Sequence, residues 1–114
     1  FLFYWPNIHT LQGFRSLKTV GSTLRINGLN QLEDLQGLNS LCSVKQLIIE
    51  SNSKLKNLSG LDSLYTITGN LSISNNDSLI DLTGINSLRS AYNISIENNP
   101  QLTSFKGFKN LARV

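Results

Sequence analysis

The chain has 114 residues, enough for one domain and too few for two separate cores. Apolar residues make up 39% and charged residues 15%, and a net charge of only +3 excludes a charge-driven disordered tail. No run approaches the roughly 18 apolar residues of a membrane span. The opening Phe1-Leu2-Phe3-Tyr4-Trp5 is broken at once by Pro6 and Asn7, and reads as neither a span nor a signal peptide. Methionine is absent, so Phe1 is not an initiator, and a chain processed or cut from a longer one is expected. A single cysteine, Cys42, excludes an intrachain disulfide framework and a multi-cysteine zinc site.

In chain order the first element is an incomplete one. Aligning Trp5-Pro6-Asn7-Ile8 with Asn99-Pro100-Gln101-Leu102 puts Leu2 in one column with Ile26, Ile49, Ile73 and Ile96, so the chain is expected to begin inside a strand. Next comes the heptapeptide Leu11-Gln-Gly-Phe-Arg-Ser-Leu17. It recurs as Leu35–Leu41, Leu58–Leu64, Leu82–Leu88 and Phe105–Leu111, with glycines at 13, 37, 60, 84 and 107 that stand 24, 23, 24 and 23 residues apart. After the heptads stand Val20, Val44, Ile67 and Ala91, each followed by an alternating pair. Period-two alternation predicts strands with one buried face at Leu24 to Ile26, Leu47 to Ile49, Leu71 to Ile73 and Ile94 to Ile96, in register as one parallel sheet. The pairs Leu32/Leu35, Leu55/Leu58, Leu79/Leu82 and Leu102/Phe105 complete each unit.

Three residues after the inner strand position comes Asn52, Asn76 or Asn99, where the chain must turn and buried backbone groups need partners. A side-chain amide both donates and accepts, so these residues read as an asparagine ladder. Leu29 takes that position in the first unit, which predicts an irregular turn there. The heptad glycine answers either a positive φ or close packing between units. A unit this small cannot bury its own apolar face, so neighbours must stack. The expected fold is a mainly β, right-handed solenoid over residues 1–114: a partial coil 1–12, full coils 13–36, 37–59, 60–83 and 84–106, and a partial coil 107–114.

The Leu-x-Gly-Leu-x-x-Leu heptads, the following Val or Ile, and stretches such as Gly69-Asn-Leu-Ser-Ile-Ser-Asn-Asn76 resemble leucine-rich repeats. More narrowly they resemble the receptor L-domain type found in the insulin and epidermal growth factor receptor ectodomains and in fungal, protist and bacterial surface proteins. The resemblance covers nearly the whole chain. It implies recognition, adhesion or scaffolding without catalysis, at an extracellular or cell-surface location, with a ligand surface on the sheet.

On the solvent side of the strands lie three rows: Thr23, Gln46, Asn70 and Asn93; Arg25, Ile48, Ser72 and Ser95; and Asn27, Glu50, Ser74 and Glu97. They form either a binding face for a protein or glycan, with Arg25 and Ile48 as its anchors, or a merely solvated surface. Asn-x-Ser sequons stand at Asn57, Asn70, Asn76 and Asn93, about the number this Asn and Ser content gives by chance. Asn76 falls in the ladder, whereas Asn70 and Asn93 share an outward row and are the better glycan acceptors, with Asn57 as a further candidate.

Cys42 shares a variable, mostly polar column with Lys18, Tyr65, Arg89 and Ala112, and is expected at or near the surface. His9 lies more than a turn of the stack away from it, and Asp62, Asp77 and Asp81 lack metal-loop spacing. No catalytic residue, cofactor or metal ligand is assigned. The basic surplus is modest and gathers in Lys106, Lys109 and Arg113, so no nucleic-acid partner is expected, nor direct membrane insertion. Phe1, Phe3, Tyr4 and Trp5 at one end, and Phe105, Phe108, Leu111 and Val114 at the other, either close the core or leave adhesive ends. Two functions follow: a recognition module, part of a longer chain, or a subunit whose uncapped ends join copies head to tail into a filament.

Overall fold

The computed structural model describes residues 2–3 and 7–112, the first two by their backbone alone. Strands β1 (Leu2–Phe3), β2 (Thr19–Asn27), β3 (Ser43–Glu50), β4 (Thr66–Ser74) and β5 (Ser90–Glu97) form one sheet in chain order, every neighbour parallel. A 3-10 turn, Gln12–Phe14, is the only helix among the described residues. The four expected strand pairs lie inside β2 to β5 in the expected register: Leu24 opposite Leu47, then Leu71, then Ile94, with Ile26, Ile49, Ile73 and Ile96 aligned likewise. The result is a mainly β solenoid with a coil spacing of 23 to 24 residues. The strands begin earlier than the apolar pairs imply, because the Val20, Val44, Ile67 and Ala91 column is already paired.

The first strand corrects the sequence expectation. Leu2 pairs with Arg25 and Phe3 with Ile26, so Phe3 and not Leu2 occupies the inner register position. The segment from Phe3 to Ile8 is one residue shorter than that from Ile96 to Leu102, and counting back across it overshoots by one. In a strand, a slip of one exchanges the two faces.

The 24, 23, 24, 23 spacing has a definite location. Three residues separate Val20 from Leu24 and Ile67 from Leu71, but only two separate Val44 from Leu47 and Ala91 from Ile94. The register shifts fall at these same places, between Val20 and Thr23, Val44 and Leu47, and Ile67 and Asn70. Alternate strands therefore carry one bulged residue each, and each bulge contains a glycine, Gly21 or Gly69. A Cβ on Gly69 would stand 2.7 Å from the Lys45 carbonyl oxygen.

Each of the first four heptads forms two successive turns, as where Leu38 N–H donates to the Leu35 carbonyl (3.2 Å) and Leu41 N–H to the Leu38 carbonyl (3.0 Å). The turn needs a glycine for both of the anticipated reasons at once. Gly37, Gly60, Gly84 and Gly107 have φ of +119°, +116°, +113° and +128°, and a Cβ there would come within 2.0 to 2.4 Å of the backbone of the preceding coil. Gly13 is in the helical turn, with no such contact among the described residues.

Stacking buries each column against its equivalents one coil away. Leu24, Leu47 and Leu71, the inner isoleucines of β2 to β4, and the heptad leucines Leu35, Leu38, Leu41, Leu58, Leu61, Leu64, Leu82 and Leu88 are all fully buried. The other corners are tied between coils by the main chain: Leu35 N–H donates to Ser59, Leu58 to Thr83, and Leu82 to Lys106, at 2.8 to 2.9 Å. At the strand ends the chain reverses through left-handed residues, Gly28, Ser51, Asn75 and Asn98.

The asparagine ladder follows immediately. Asn52 Nδ2 donates to the Ile26 carbonyl, Asn76 Nδ2 to Ile49 and Asn99 Nδ2 to Ile73, each at 3.1 Å. Each Oδ1 accepts the main-chain N–H of the corresponding residue one coil earlier: Leu29, Asn52 and Asn76, at 2.9 to 3.1 Å. Leu29 is thus not a sign of irregularity. Its buried N–H is served by Asn52, and the first unit turns like the others. No buried side-chain nitrogen or oxygen among the described residues lacks a partner.

Candidate ligand-binding surfaces

The parallel register sets the outward rows side by side: Thr23 opposite Gln46, Asn70 opposite Asn93, Arg25 opposite Ile48 then Ser72 then Ser95, and Asn27 opposite Glu50 then Ser74 then Glu97. Adjacent members stand about 4.8 Å apart, the strand separation. Thr23, Arg25, Asn27, Gln46, Ile48, Glu50 and Ser72 are half-buried, while Asn70, Asn93, Ser95 and Glu97 are exposed. Ser74 is a correction: this shortest side chain of its row lies between Glu50 and Glu97 and is 8% exposed, so it offers a ligand little.

Of the two expected anchors, Arg25 is already engaged. Its Nη1 stands 2.5 Å from Glu50 Oε1 on the adjacent strand. That pair partly neutralises the only cation in these three rows and leaves half-buried Ile48 as their one large apolar group. The second ion pair lies on another side of the coil, Lys56 Nζ to Glu33 Oε1 at 2.8 Å. The Lys56 ammonium, first by hydrogen bonding and then by its charge, holds the Glu33 carboxyl below its ordinary range, and Lys56 is raised in turn. Both groups are fully solvated and contribute little.

The sequons fall apart by environment. Asn76 is fully buried in the ladder. Asn70 and Asn93 are exposed and directly paired. Asn57 is half-buried, its Oδ1 accepting the Ser59 N–H at 3.0 Å. Cys42 is half-buried, its Sγ 3.2 Å from the Ser40 carbonyl oxygen.

At the far end no further strand pairs with β5 among the described residues, and the last described coil covers its core incompletely. Ile94, Ile96, Leu102, Phe108 and Leu111 are half-buried where their equivalents in the middle coils are buried, and Phe105 is 62% exposed. Phe1, Tyr4, Trp5 and Val114, and the side chain of Phe3, lie outside the described residues.

One concave feature was missed as a site in the sequence. Where the heptad hands over to the strand, Ser63, Tyr65, Ser87, Arg89 and Asn110 line an open groove of about 340 Å³. The signal was present in two rows that repeat at the coil period, Ser16, Ser40, Ser63 and Ser87 beside Lys18, Cys42, Tyr65 and Arg89. Main-chain hydrogen bonds run along the second row: Cys42 N–H to Lys18 (2.7 Å), Tyr65 to Cys42 (2.9 Å) and Arg89 to Tyr65 (2.9 Å). Among the described residues no three His, Cys, Asp or Glu side chains group to hold a metal, and no helix is long and apolar enough to cross a membrane.

No known protein family, curated protein or solved structure matches the chain.

Proposed function

We propose that the chain is a leucine-rich-repeat module of the receptor L-domain type that recognises a protein or glycan, without catalysis, at the cell surface or outside the cell. One observation carries this reading: the solenoid repeats two rows of outward side chains in register over β2 to β5, so that a backbone-paired array of mostly polar groups surrounds Ile48. Rigid presentation lowers the ordering cost of association, and a single apolar anchor ringed by polar groups is the usual anatomy of an interface. The test is a screen of the purified chain against glycan and cell-surface protein arrays, repeated with Ile48→Glu and Ser95→Arg. Loss of the captured ligand in those variants, with the circular dichroism spectrum retained, supports the reading; capture indifferent to both substitutions defeats it.

A second reading is favoured by the apolar cross-section around exposed Phe105. There β5 and the coil at 99–111 offer half-buried Ile96, Leu102 and Phe108 and the open edge of β5, a surface shaped to take another coil. Head-to-tail stacking of copies on this surface would be heterologous and would grow as a filament unless it closed into a ring.

A further inference from the structure

The groove between the heptad turns and the sheet differs from the strand face in what it leaves unengaged. Arg89 is exposed and has no acidic partner and no side-chain hydrogen bond among the described residues, unlike Arg25. Tyr65, one coil earlier, is 51% exposed, and neither its hydroxyl nor those of Ser63 and Ser87 has a partner among the described residues. Asn110 spends its Nδ2 on the Asn86 carbonyl (2.8 Å) and leaves its Oδ1 unengaged. The Arg89-to-Tyr65 main-chain bond sets the two backbones side by side on adjacent coils, about 4.8 Å apart, and both side chains line the same groove.

We propose that this groove binds an acidic saccharide, a glycan segment containing uronate. The Arg89 guanidinium pairs with the sugar carboxylate in a fork that matches its two oxygens. The Tyr65 ring lies against a sugar face, its apolar body covering the ring carbons and its hydroxyl remaining wet. Ser63, Ser87 and the Asn110 Oδ1 supply neutral donors and acceptors for vicinal hydroxyls. An acidic peptide fits less well, because the groove has neither an apolar pocket for an anchor side chain nor a free strand edge. A phosphate-rich polymer would call for several cations, and the groove lining holds one. The proposal rests on the reading of the chain as a recognition module, but it uses a different surface from the strand face.

Isothermal titration of the 114-residue chain with short oligogalacturonates tests it, with uncharged galactose oligomers of equal length and polyglutamate as controls. Binding is expected for the oligogalacturonate alone. It should weaken about ten-fold or more in Arg89→Gln and in Tyr65→Ala, should not be restored by Arg89→Lys, and should be unchanged in Ile48→Glu. Both groove residues are exposed, so the variants should keep the fold, which circular dichroism checks. No binding, equal binding of the uncharged or polyglutamate control, or indifference to Arg89→Gln would overturn the proposal. A ligand lost in Ile48→Glu but kept in Arg89→Gln would overturn the groove assignment and leave the strand-face reading standing.

Discussion

Asn76 Oδ1 accepts two hydrogen bonds from Asn52, one from its main-chain N–H and one from its Nδ2, both at 3.1 Å, in a site closed to water. Asn76 also covers the Ile49 carbonyl from its own Nδ2. Asn76→Ala therefore strands one buried carbonyl and the buried N–H of Asn52 at once. At about 1–3 kcal/mol for each unsatisfied group, the loss should be roughly 2–6 kcal/mol in urea denaturation. Asn99→Ala, at a half-exposed position that water reaches, should cost clearly less. Equal losses would mean that burial does not set the strength of the ladder.

The faces of the coil can be checked with one pair of variants. Leu64 is fully buried, and Leu64→Ala should destabilise by about 2–5 kcal/mol. Ser72, on the outward row, makes no side-chain hydrogen bond among the described residues, and Ser72→Ala should stay within about 0.5 kcal/mol. A denaturant titration showing similar shifts for both would reverse the assignment of inside and outside.

Heptad glycines should respond unequally to alanine. Gly84 has φ +113° and would place a Cβ 2.2 Å from the Leu58 carbonyl, so Gly84→Ala forces two coils apart and should cost more than the ~1 kcal/mol of an ordinary conformational penalty. Gly13→Ala meets nothing among the described residues and should be neutral to within about 0.5 kcal/mol. Thermal melts of the two variants decide the point, and a large loss at position 13 would contradict it.

Expression through a eukaryotic secretory route should place glycans on Asn70 and Asn93 and none on Asn76, whose side chain is sealed in the ladder. Because Asn70 and Asn93 are direct partners on adjacent strands, about 4.8 Å apart, occupancy of one should depress occupancy of the other. Peptide mass mapping reads both results. A glycan on Asn76 would break the register argued for that coil.

Stacking of copies has its own readout. If the apolar cross-section of the last described coil drives assembly, light scattering should show concentration-dependent growth that Phe105→Asp abolishes, since Phe105 is the most exposed apolar group there. Monomers at high concentration would remove the filament reading.

What the sequence determined by itself was the repeat and its inside. Apolar columns at a fixed period can be buried only by superposition, so the strand pairs, the heptad leucines and the amide at the turn declared their places before any coordinate. The same logic separated Asn76 from Asn70 and Asn93, because a ladder position and an outward strand position differ in phase. Tertiary structure decided whatever depended on the neighbouring coil. It located the alternating extra residue in β2 and β4, joined the two glycine requirements into one, and moved Phe3 into the column assigned to Leu2. It also sank Ser74 between two glutamates, paired Arg25 with Glu50, and gathered Tyr65, Arg89 and two serines around a groove. Periodicity along the chain fixes which way a side chain points; its exposure and its partners are set by side chains one coil away, whose sizes and charges vary from repeat to repeat.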